Sequence, residues 1–199
     1  AIMDILCSYH SVDMQWGNDD ISWMRAAAGC QALICNVLRI QTRYANLDTI
    51  EEDYGINLLP LATFAMRTYA NDPCSQFSPK GDEELSDQDF NMIAKMHKAI
   101  SILQWKMEAQ IIQRHPEFHM EDRLLLSKVN FENGTIDLYG KTYPMNDMNF
   151  PTVDPKDPFR LTEEEELVMN KLKSSFVNSE KLQTHVQELY PRGSMDTVC

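Results

Sequence analysis

The longest regular pattern in the chain is SDQDFNMIAKMHKAISILQWKMEAQIIQRHP, residues 86–116. Apolar side chains recur in it three or four positions apart, which predicts one amphipathic helix whose apolar stripe faces a core. The stripe consists of Ile93, Met96, Ile100, Leu103, Met107 and Ile111. Ser86 predicts the N-cap, and the acids that follow it suit the positive end of the helix dipole. His115 predicts the helix end, because a residue before proline avoids the α region.

Helices are also predicted on the N-terminal side of this pattern. Residues 21–44 predict one helix with a small, apolar middle, AAAGCQALICNVL, and residues 61–69 predict a shorter one. Ahead of them, Val12 to Trp16 alternate apolar and polar side chains before Gly17. That alternation predicts a short strand that ends at the glycine.

The C-terminal side mixes a hairpin with helices. A short helix is expected over residues 120–128, and Asn133-Gly134 and Gly140-Lys141 are hairpin signals. Thr162 and Glu165 form a capping box for a last helix that runs to about Leu189. The predicted fold class is therefore α+β: predominantly helical, with one N-terminal core strand and a β-hairpin.

Charge and composition narrow the functional classes. The 199 residues carry a net charge of −12, with 43% hydrophobic and 24% charged side chains. Nucleic-acid binders need clustered cations, so we expect no nucleic-acid partner. No stretch approaches the roughly 20 apolar residues of a membrane span, so no membrane partner is expected either. Five cysteines without CxxC spacing indicate reduced thiols in a cytoplasmic protein; they are Cys7, Cys30, Cys35, Cys74 and Cys199.

The stretch WGNDD, residues 16–20, is the main candidate for chemistry, and two interpretations stay open at this point. Asn18, Asp19 and Asp20 could form a polar turn that leads into a helix N-cap. They could also supply oxygen ligands to Mn²⁺ or Mg²⁺ from a loop at the end of a strand.

Other polar residues are weaker candidates. His115 and His119 have the spacing of a helical metal pair, but Pro116 interrupts the helix and favours a surface loop. His97, among apolar neighbours, is interpreted as a structural histidine. Cys30 and Cys35 are interpreted as buried thiols on different helix faces.

Longer strings resemble successive segments of one family, the class III bacterial fructose-1,6-bisphosphatases. The strings are YHSVDMQWGNDDISW (9–23), RYANLDTIEEDYGINLLPL (43–61), MHKAISILQWKMEAQIIQRHPEFHMEDRLLL (96–126), NFENGTIDLYGKTYPM (130–145) and NSEKLQTH (178–185). They cover residues from about Ile2 to about Gly193 in the same order. The resemblance is to an interior part of a family protein several times longer, so the chain is expected to be a fragment.

The resemblance implies a calcineurin-like metallophosphoesterase architecture, with two sheets between helical layers. It implies hydrolysis of the 1-phosphate of fructose 1,6-bisphosphate in gluconeogenesis, with a phosphorylated sugar as substrate and a dinuclear Mn²⁺ site. Asn18 is then a metal ligand, in the position of the asparagine of the family's Gly-Asn-His-Asp/Glu motif. Asp20 matches the acid that orients the motif's histidine.

Asp19 departs from that motif, because the family has histidine at its position. An ionised carboxylate repels a phosphate dianion and has no proton to give to a leaving group. Arg25 is also unusual, since Gly or Ala is expected where a run of small residues begins. The family's Asp-x-His and Gly-Asp-x-x-Asp-Arg motifs and its distal histidines are not in these 199 residues, so the metal site is incomplete and the chain alone is expected to be inactive.

The expected organisation has four parts: an edge of the metallophosphoesterase core ending in the GNDD loop (1–20), a helical insertion (21–127), the β-hairpin (128–145), and a connector with a C-terminal helix (146–199). The insertion could cap the active site, form the interface of a homo-oligomer, or only pack. The alternative function is that of a non-catalytic, truncated relative that acts as an acidic helical interaction module.

Overall fold

A computed structural model describes residues 2–12, 16–80 and 85–189. These residues form seven α-helices: α1 (Ile2–Tyr9), α2 (Asn18–Ala27), α3 (Gln31–Arg43), α4 (Leu59–Thr68), α5 (Asp87–Arg114), α6 (Glu163–Val177) and α7 (Glu180–Leu189). Helix α5 packs mainly against α3 and α4, while α6 contacts α2, α3 and α4. The predominantly helical α+β class predicted from the sequence is confirmed.

A small antiparallel sheet follows α5. Its strands β1 (Val129–Asn130), β2 (Thr135–Leu138) and β3 (Lys141–Pro144) lie in that order. Strands β2 and β3 form the predicted hairpin, with Leu138 opposite Lys141 across a two-residue turn. Both turn residues have positive φ, 50° at Tyr139 and 76° at Gly140, as the favoured hairpin turns require. Strand β1 adds a third, short strand that the sequence pattern does not predict.

Helix α5 is the central element, and its ends lie where the sequence predicts them. The Ser86 hydroxyl accepts a hydrogen bond from the Asp89 N–H at 3.2 Å, and His115 is the C-cap. The predicted single apolar stripe underestimates how much of the helix is buried, because every residue from Ile93 to Gln104 is buried. The helix is therefore surrounded by protein along its middle turns, and its polar residues there must find internal partners.

Two lysines of α5 illustrate this. The Lys98 side chain is 0% exposed, and its Nζ lies 2.6 Å from Oδ2 of both Asp72 and Asp147. The same ammonium lies 5.0 Å from the ring centroid of Tyr69 and 5.3 Å from that of Phe150. The ion pairs and the aromatic faces together replace the water that a lysine loses on burial.

The second lysine joins α5 to α6. Nζ of Lys106 lies 2.7 Å from Oε2 of Glu165 and donates a hydrogen bond to the Thr152 carbonyl oxygen at 2.6 Å. The carboxylate of Glu165 also accepts from the Thr162 N–H at 2.8 Å, which completes the predicted capping box. One buried carboxylate thus begins α6 and neutralises a charge on α5.

The prediction of one helix over residues 21–44 is wrong. The chain forms α2 and α3, with a break at Ala28–Cys30 where Gly29 has a φ of 88°. A Cβ at Gly29 would lie 3.0 Å from both Lys173 Cε and Val177 Cγ2 of α6. A positive φ and a close neighbour explain the glycine, and neither is visible in a periodic apolar pattern.

Two other helix predictions need correction. Residues 120–128 form short 3-10 turns, Glu121–Arg123 and Leu125–Lys128, in place of an α-helix. The predicted last helix is two helices, because α6 ends at Val177 and the Ser179 hydroxyl accepts a hydrogen bond from the Leu182 N–H at 3.1 Å. A serine in that position starts a new helix.

The predicted strand at Val12–Trp16 falls on residues 13–15, which lie outside the described residues. The described residues beside them, Ser11, Val12 and Trp16, are not part of a strand. Within the described ranges, no helix has both the length and the apolar character needed to cross a membrane.

Candidate functional site

The three polar residues of the WGNDD stretch form the first turn of α2. Gly17 is the N-cap, and its N–H donates a hydrogen bond to Asp20 Oδ2 at 2.9 Å. Asn18 and Asp19 are exposed, and Asn18 Nδ2 donates to Asp19 Oδ1 at 3.4 Å. The expected GNDD loop is therefore a helix start, and its acids lie at the positive end of the helix dipole.

A small cavity adjoins this turn, where α2 packs on α3. It has a volume of about 80 Å³, and Asp19, Ser22 and Trp23 of α2 line one side. Asn36 and Gln41 are among the α3 residues on the other side. Ligand pockets usually measure roughly 300–1,000 Å³, so this cavity is too small to enclose a sugar bisphosphate.

The described residues do not fit a complete metal pair. Among them, no group of three or more His, Cys, Asp or Glu side chains is placed to hold a metal ion. Of the three polar residues at the start of α2, Asp20 already accepts a hydrogen bond from the Gly17 N–H. Asn18 and Asp19 remain as exposed oxygen donors, fewer than the ligands a dinuclear centre needs.

His115 and His119 lie in an exposed turn after α5, which agrees with the surface loop favoured from the sequence. Nδ1 of His115 is 2.9 Å from Oε1 of Glu117, and its ring stacks on Phe118 at 4.9 Å between centroids. The hydrogen bond from His115 lowers the pKa of Glu117. His119 adopts a left-handed backbone with a φ of 51°, so the two histidines do not share a helix face.

His97 is a structural histidine, as predicted. Its Nδ1 lies 2.9 Å from the Phe77 carbonyl oxygen, which can only accept, so Nδ1 carries the proton. Burial lowers the pKa of His97, as do the nearby charges of Arg39 and Arg43. The neutral ring therefore holds the loop before α5 against the helix.

The described cysteines are free thiols, which agrees with the prediction of reduced cysteines. Cys35 is buried with its Sγ 3.6 Å from Met169 Sδ, and burial raises its pKa well above the ordinary range. Burial also raises the pKa of the Cys74 thiol to about 12. Neither thiol is a nucleophile at neutral pH, because the thiolate is the reactive form. Cys30 is half-buried, and Cys199 lies outside the described residues.

The sequence analysis did not predict the larger cavities among the described residues, and two of these contain an arginine. One, of about 500 Å³, lies between α4 and α6, where Arg67 pairs with Glu164. The other, of about 520 Å³, lies beside the break between α2 and α3 and includes Arg25. The unexpected arginine among small residues was its only signal in the sequence.

Comparison with known proteins places the chain in one family. The family model described as Firmicute fructose-1,6-bisphosphatase matches residues 1–199. A protein of Clostridium novyi (strain NT) named "Fructose-1,6-bisphosphatase class 3" is 63% identical over 195 residues, which are 98% of this chain and 29% of that protein. One from Bacteroides fragilis (strain YCH46), with the same name, is 55% identical over 201 residues, 100% of this chain and 30% of that protein.

No solved structure gives a significant match. The chain spans about 30% of the length of the relatives it matches. The family match covers the whole sequence, including all of the strings noted above. The chain therefore belongs to the Firmicute fructose-1,6-bisphosphatase family.

Proposed function

We propose that this chain is part of a metal-dependent phosphatase that hydrolyses the 1-phosphate of fructose 1,6-bisphosphate. The observation that supports this most directly is the family match over all 199 residues, with relatives that carry the fructose-1,6-bisphosphatase name. The proposed metal is Mn²⁺, which would neutralise phosphoryl charge and activate a water molecule.

Asn18 is the proposed metal ligand of this chain. Its side chain is exposed at the first turn of α2, and no described residue other than Asp19 bonds to it. Asp20 is proposed as a positioning acid, because its hydrogen bond to the Gly17 N–H holds the turn in one conformation. The helix dipole adds a favourable field for a phosphate at this end of α2.

Asp19 is the residue that limits the proposed activity. It is exposed beside Asn18, so an incoming phosphate would meet its charge. An ionised aspartate repels the dianion, and it cannot protonate the leaving oxygen as a histidine would. We therefore propose that Asp19→His raises kcat of the assembled enzyme by about a hundredfold, the size of a typical proton-transfer contribution.

The chain alone is proposed to be inactive, because its described residues supply too few ligands for a metal pair. The test has two steps. Purified chain is first assayed for phosphate release from fructose 1,6-bisphosphate with Mn²⁺, and a robust metal-dependent rate would contradict this part of the proposal.

In the second step the chain replaces the matching segment of the Clostridium novyi relative. The chimera is assayed with Asp19 and with histidine at that position. Asn18→Ala in the histidine version should weaken metal binding, whereas Asn36→Ala on neighbouring α3 should not. If the chimera with histidine is folded but inactive, the proposed role of this segment is wrong.

A second candidate is a non-catalytic interaction module. One observation favours it: four large apolar side chains of α1 are exposed, with Ile2 76% and Tyr9 80% accessible to solvent. They are Ile2, Ile5, Leu6 and Tyr9. Such a stripe on a helix is suited to a protein partner. Stable co-purification with a partner through α1, together with an inactive histidine chimera, would favour this candidate.

A further inference from the structure

The cavity at the break between α2 and α3, named the Arg25 pocket here, combines an apolar interior with a charged rim. Its volume of about 520 Å³ is within the range of small-molecule sites, roughly 300–1,000 Å³. Aliphatic and aromatic side chains from α3, the end of α5 and the turns after α5 form most of its wall. They are Ala32, Leu33, Ile111, Ile112, Phe118 and Met120.

Two arginines supply the charge. Arg25 belongs to the last turn of α2 and Arg123 to a 3-10 turn after α5, and both line this one pocket. Both side chains are exposed, and neither guanidinium has a hydrogen bond or ion pair with any other described residue. By contrast, Arg67 pairs with Glu164 and Arg39 bonds to Gln104.

Arg114 and Arg160 also lack an ionic partner among the described residues, so what distinguishes Arg25 and Arg123 is that both line one mainly apolar pocket. They do so in a chain with 30 acidic and only 18 basic residues. A guanidinium presents a planar set of donors that matches a carboxylate or a phosphate. Two of them at one pocket, both unpaired, complement an anion that the described residues do not supply.

The pocket also contains one acid, which restricts where an anion can lie. Glu108 lines the wall, and its Oε1 accepts a hydrogen bond from Gln104 Nε2 at 2.5 Å. Its charge repels a carboxylate placed beside it. The head group of a ligand therefore belongs at the arginine rim, and an uncharged apolar body belongs against Leu33, Ile111 and the other apolar side chains.

We propose that the Arg25 pocket binds a small anionic amphiphile, a molecule with a carboxylate head and an aliphatic body. The arginines bind the head, and the apolar wall removes the body from water, which favours binding. This site is separate from the α2 start, because Asp19 lines a different cavity. It assigns a role to Arg25, which the phosphatase proposal leaves without one.

The first experiment is calorimetric titration of the 199-residue chain with decanoate below its micelle concentration. We expect saturable binding with one site. The variant with both Arg25→Gln and Arg123→Gln should bind about tenfold more weakly, which corresponds to about 1.4 kcal/mol, because both charged contacts with the carboxylate are lost. Arg160→Gln is the matched control, because Arg160 is exposed and does not line the pocket.

Decanol, which has the same chain length without the charge, should bind as weakly to the wild type as decanoate binds to the double variant. Circular dichroism establishes that each variant is folded. If folded wild-type chain binds no decanoate, the proposal is overturned. Equal affinities for decanol and decanoate, or an unchanged double variant, would overturn it as well.

A chemical readout locates the ligand. Cys30 is half-buried and lines the Arg25 pocket, whereas Cys7 on α1 is exposed and outside it. Saturating decanoate should slow the alkylation of Cys30 by iodoacetamide and leave that of Cys7 unchanged, as measured by peptide mass spectrometry. An unchanged Cys30 rate at saturation would place the bound decanoate elsewhere and refute the assignment.

Discussion

Replacing Glu165 with glutamine tests whether the buried ion pair between α5 and α6 is essential to the fold. The Lys106 side chain is 0% exposed and that of Glu165 is 1% exposed. Glutamine has nearly the same shape, and its oxygen can still accept the Thr162 N–H that caps α6. The substitution therefore removes the charge and retains the cap.

The expected cost is large because a charge is left without its partner. Burial lowers the pKa of Lys106, and Glu165 opposes that effect in the native protein. Without the carboxylate charge, the ammonium retains only neutral acceptors: the Thr152 carbonyl oxygen at 2.6 Å and the glutamine oxygen in the place of Glu165 Oε2. Breaking a buried pair in this way costs about 3–5 kcal/mol, which lowers the Tm of a domain of this size by roughly 12 °C.

Urea unfolding followed by circular dichroism measures the free energy of unfolding. Glu164→Gln is the matched control, because it makes the same change one residue away at the exposed pair with Arg67. That control should cost less than about 1 kcal/mol. A double variant of Glu165→Gln with Lys106→Met removes both charges and should regain part of the loss.

Two results would refute this reasoning. If Glu165→Gln and Glu164→Gln lower the free energy of unfolding by the same amount, then Glu165 does not compensate the buried charge of Lys106. A double variant that is less stable than Glu165→Gln alone would mean that Lys106 stabilises the fold through contacts other than Glu165.

Acidification should reduce the free energy of unfolding as the pH falls from about 6.5 through the lowered pKa of His97, because the unfolded chain takes up the proton first. Urea unfolding at about pH 7.5 and about pH 5.5 should show a smaller pH dependence for His97→Gln, and an unchanged one for the exposed His119→Gln. Gly29→Ala should lower the free energy of unfolding, measured by thermal unfolding, by about 2–3 kcal/mol, because it adds both a strained φ and a close contact with α6. Gly140→Ala is strained but lies in open space, so it should cost only about 1 kcal/mol. Equal losses for the two variants would contradict the contact argument. Lys98→Met should destabilise the chain by about 3–5 kcal/mol in the same assay, and a loss below about 1 kcal/mol would show that its two aspartates are stable without the cation.

Local features of the fold were predictable, because they depend on neighbours in sequence. Ser86 begins α5, His115 ends it, and Thr162 with Glu165 begins α6, as their residue types indicate. Each involves groups at most four residues apart, and a sequence pattern records such spacing directly.

Features that depend on distant partners were not predictable. Lysine in a helix usually indicates a solvent-exposed position, yet Lys98 and Lys106 are 0% exposed. Their carboxylates come from residues 26 to 59 positions away in the chain. No periodic pattern relates such residues, so the sequence could not show that the middle turns of α5 are buried on all sides.

At the candidate site, the sequence pattern could indicate a polar turn leading into a helix, but not what surrounds that turn. The polar stretch from Asn18 to Asp20 identified the turn, and the structure places it at a helix N-terminus. The cavity that Asp19 shares with Asn36 arises from the packing of α2 on α3. That packing depends on the break at Gly29, which an apolar periodic pattern does not reveal.

The position of α5 also constrains the order in which the chain can assemble during synthesis. This helix has 28 residues, about 42 Å of length, and it packs against α3 and α4, which the ribosome makes before it. Until Arg114 has been made, those earlier helices lack the surface that buries their apolar side chains. We therefore expect a nascent chain that ends near residue 86 to be sensitive to protease and to depend on chaperones. The full chain should become resistant once α5 and α6 have both emerged.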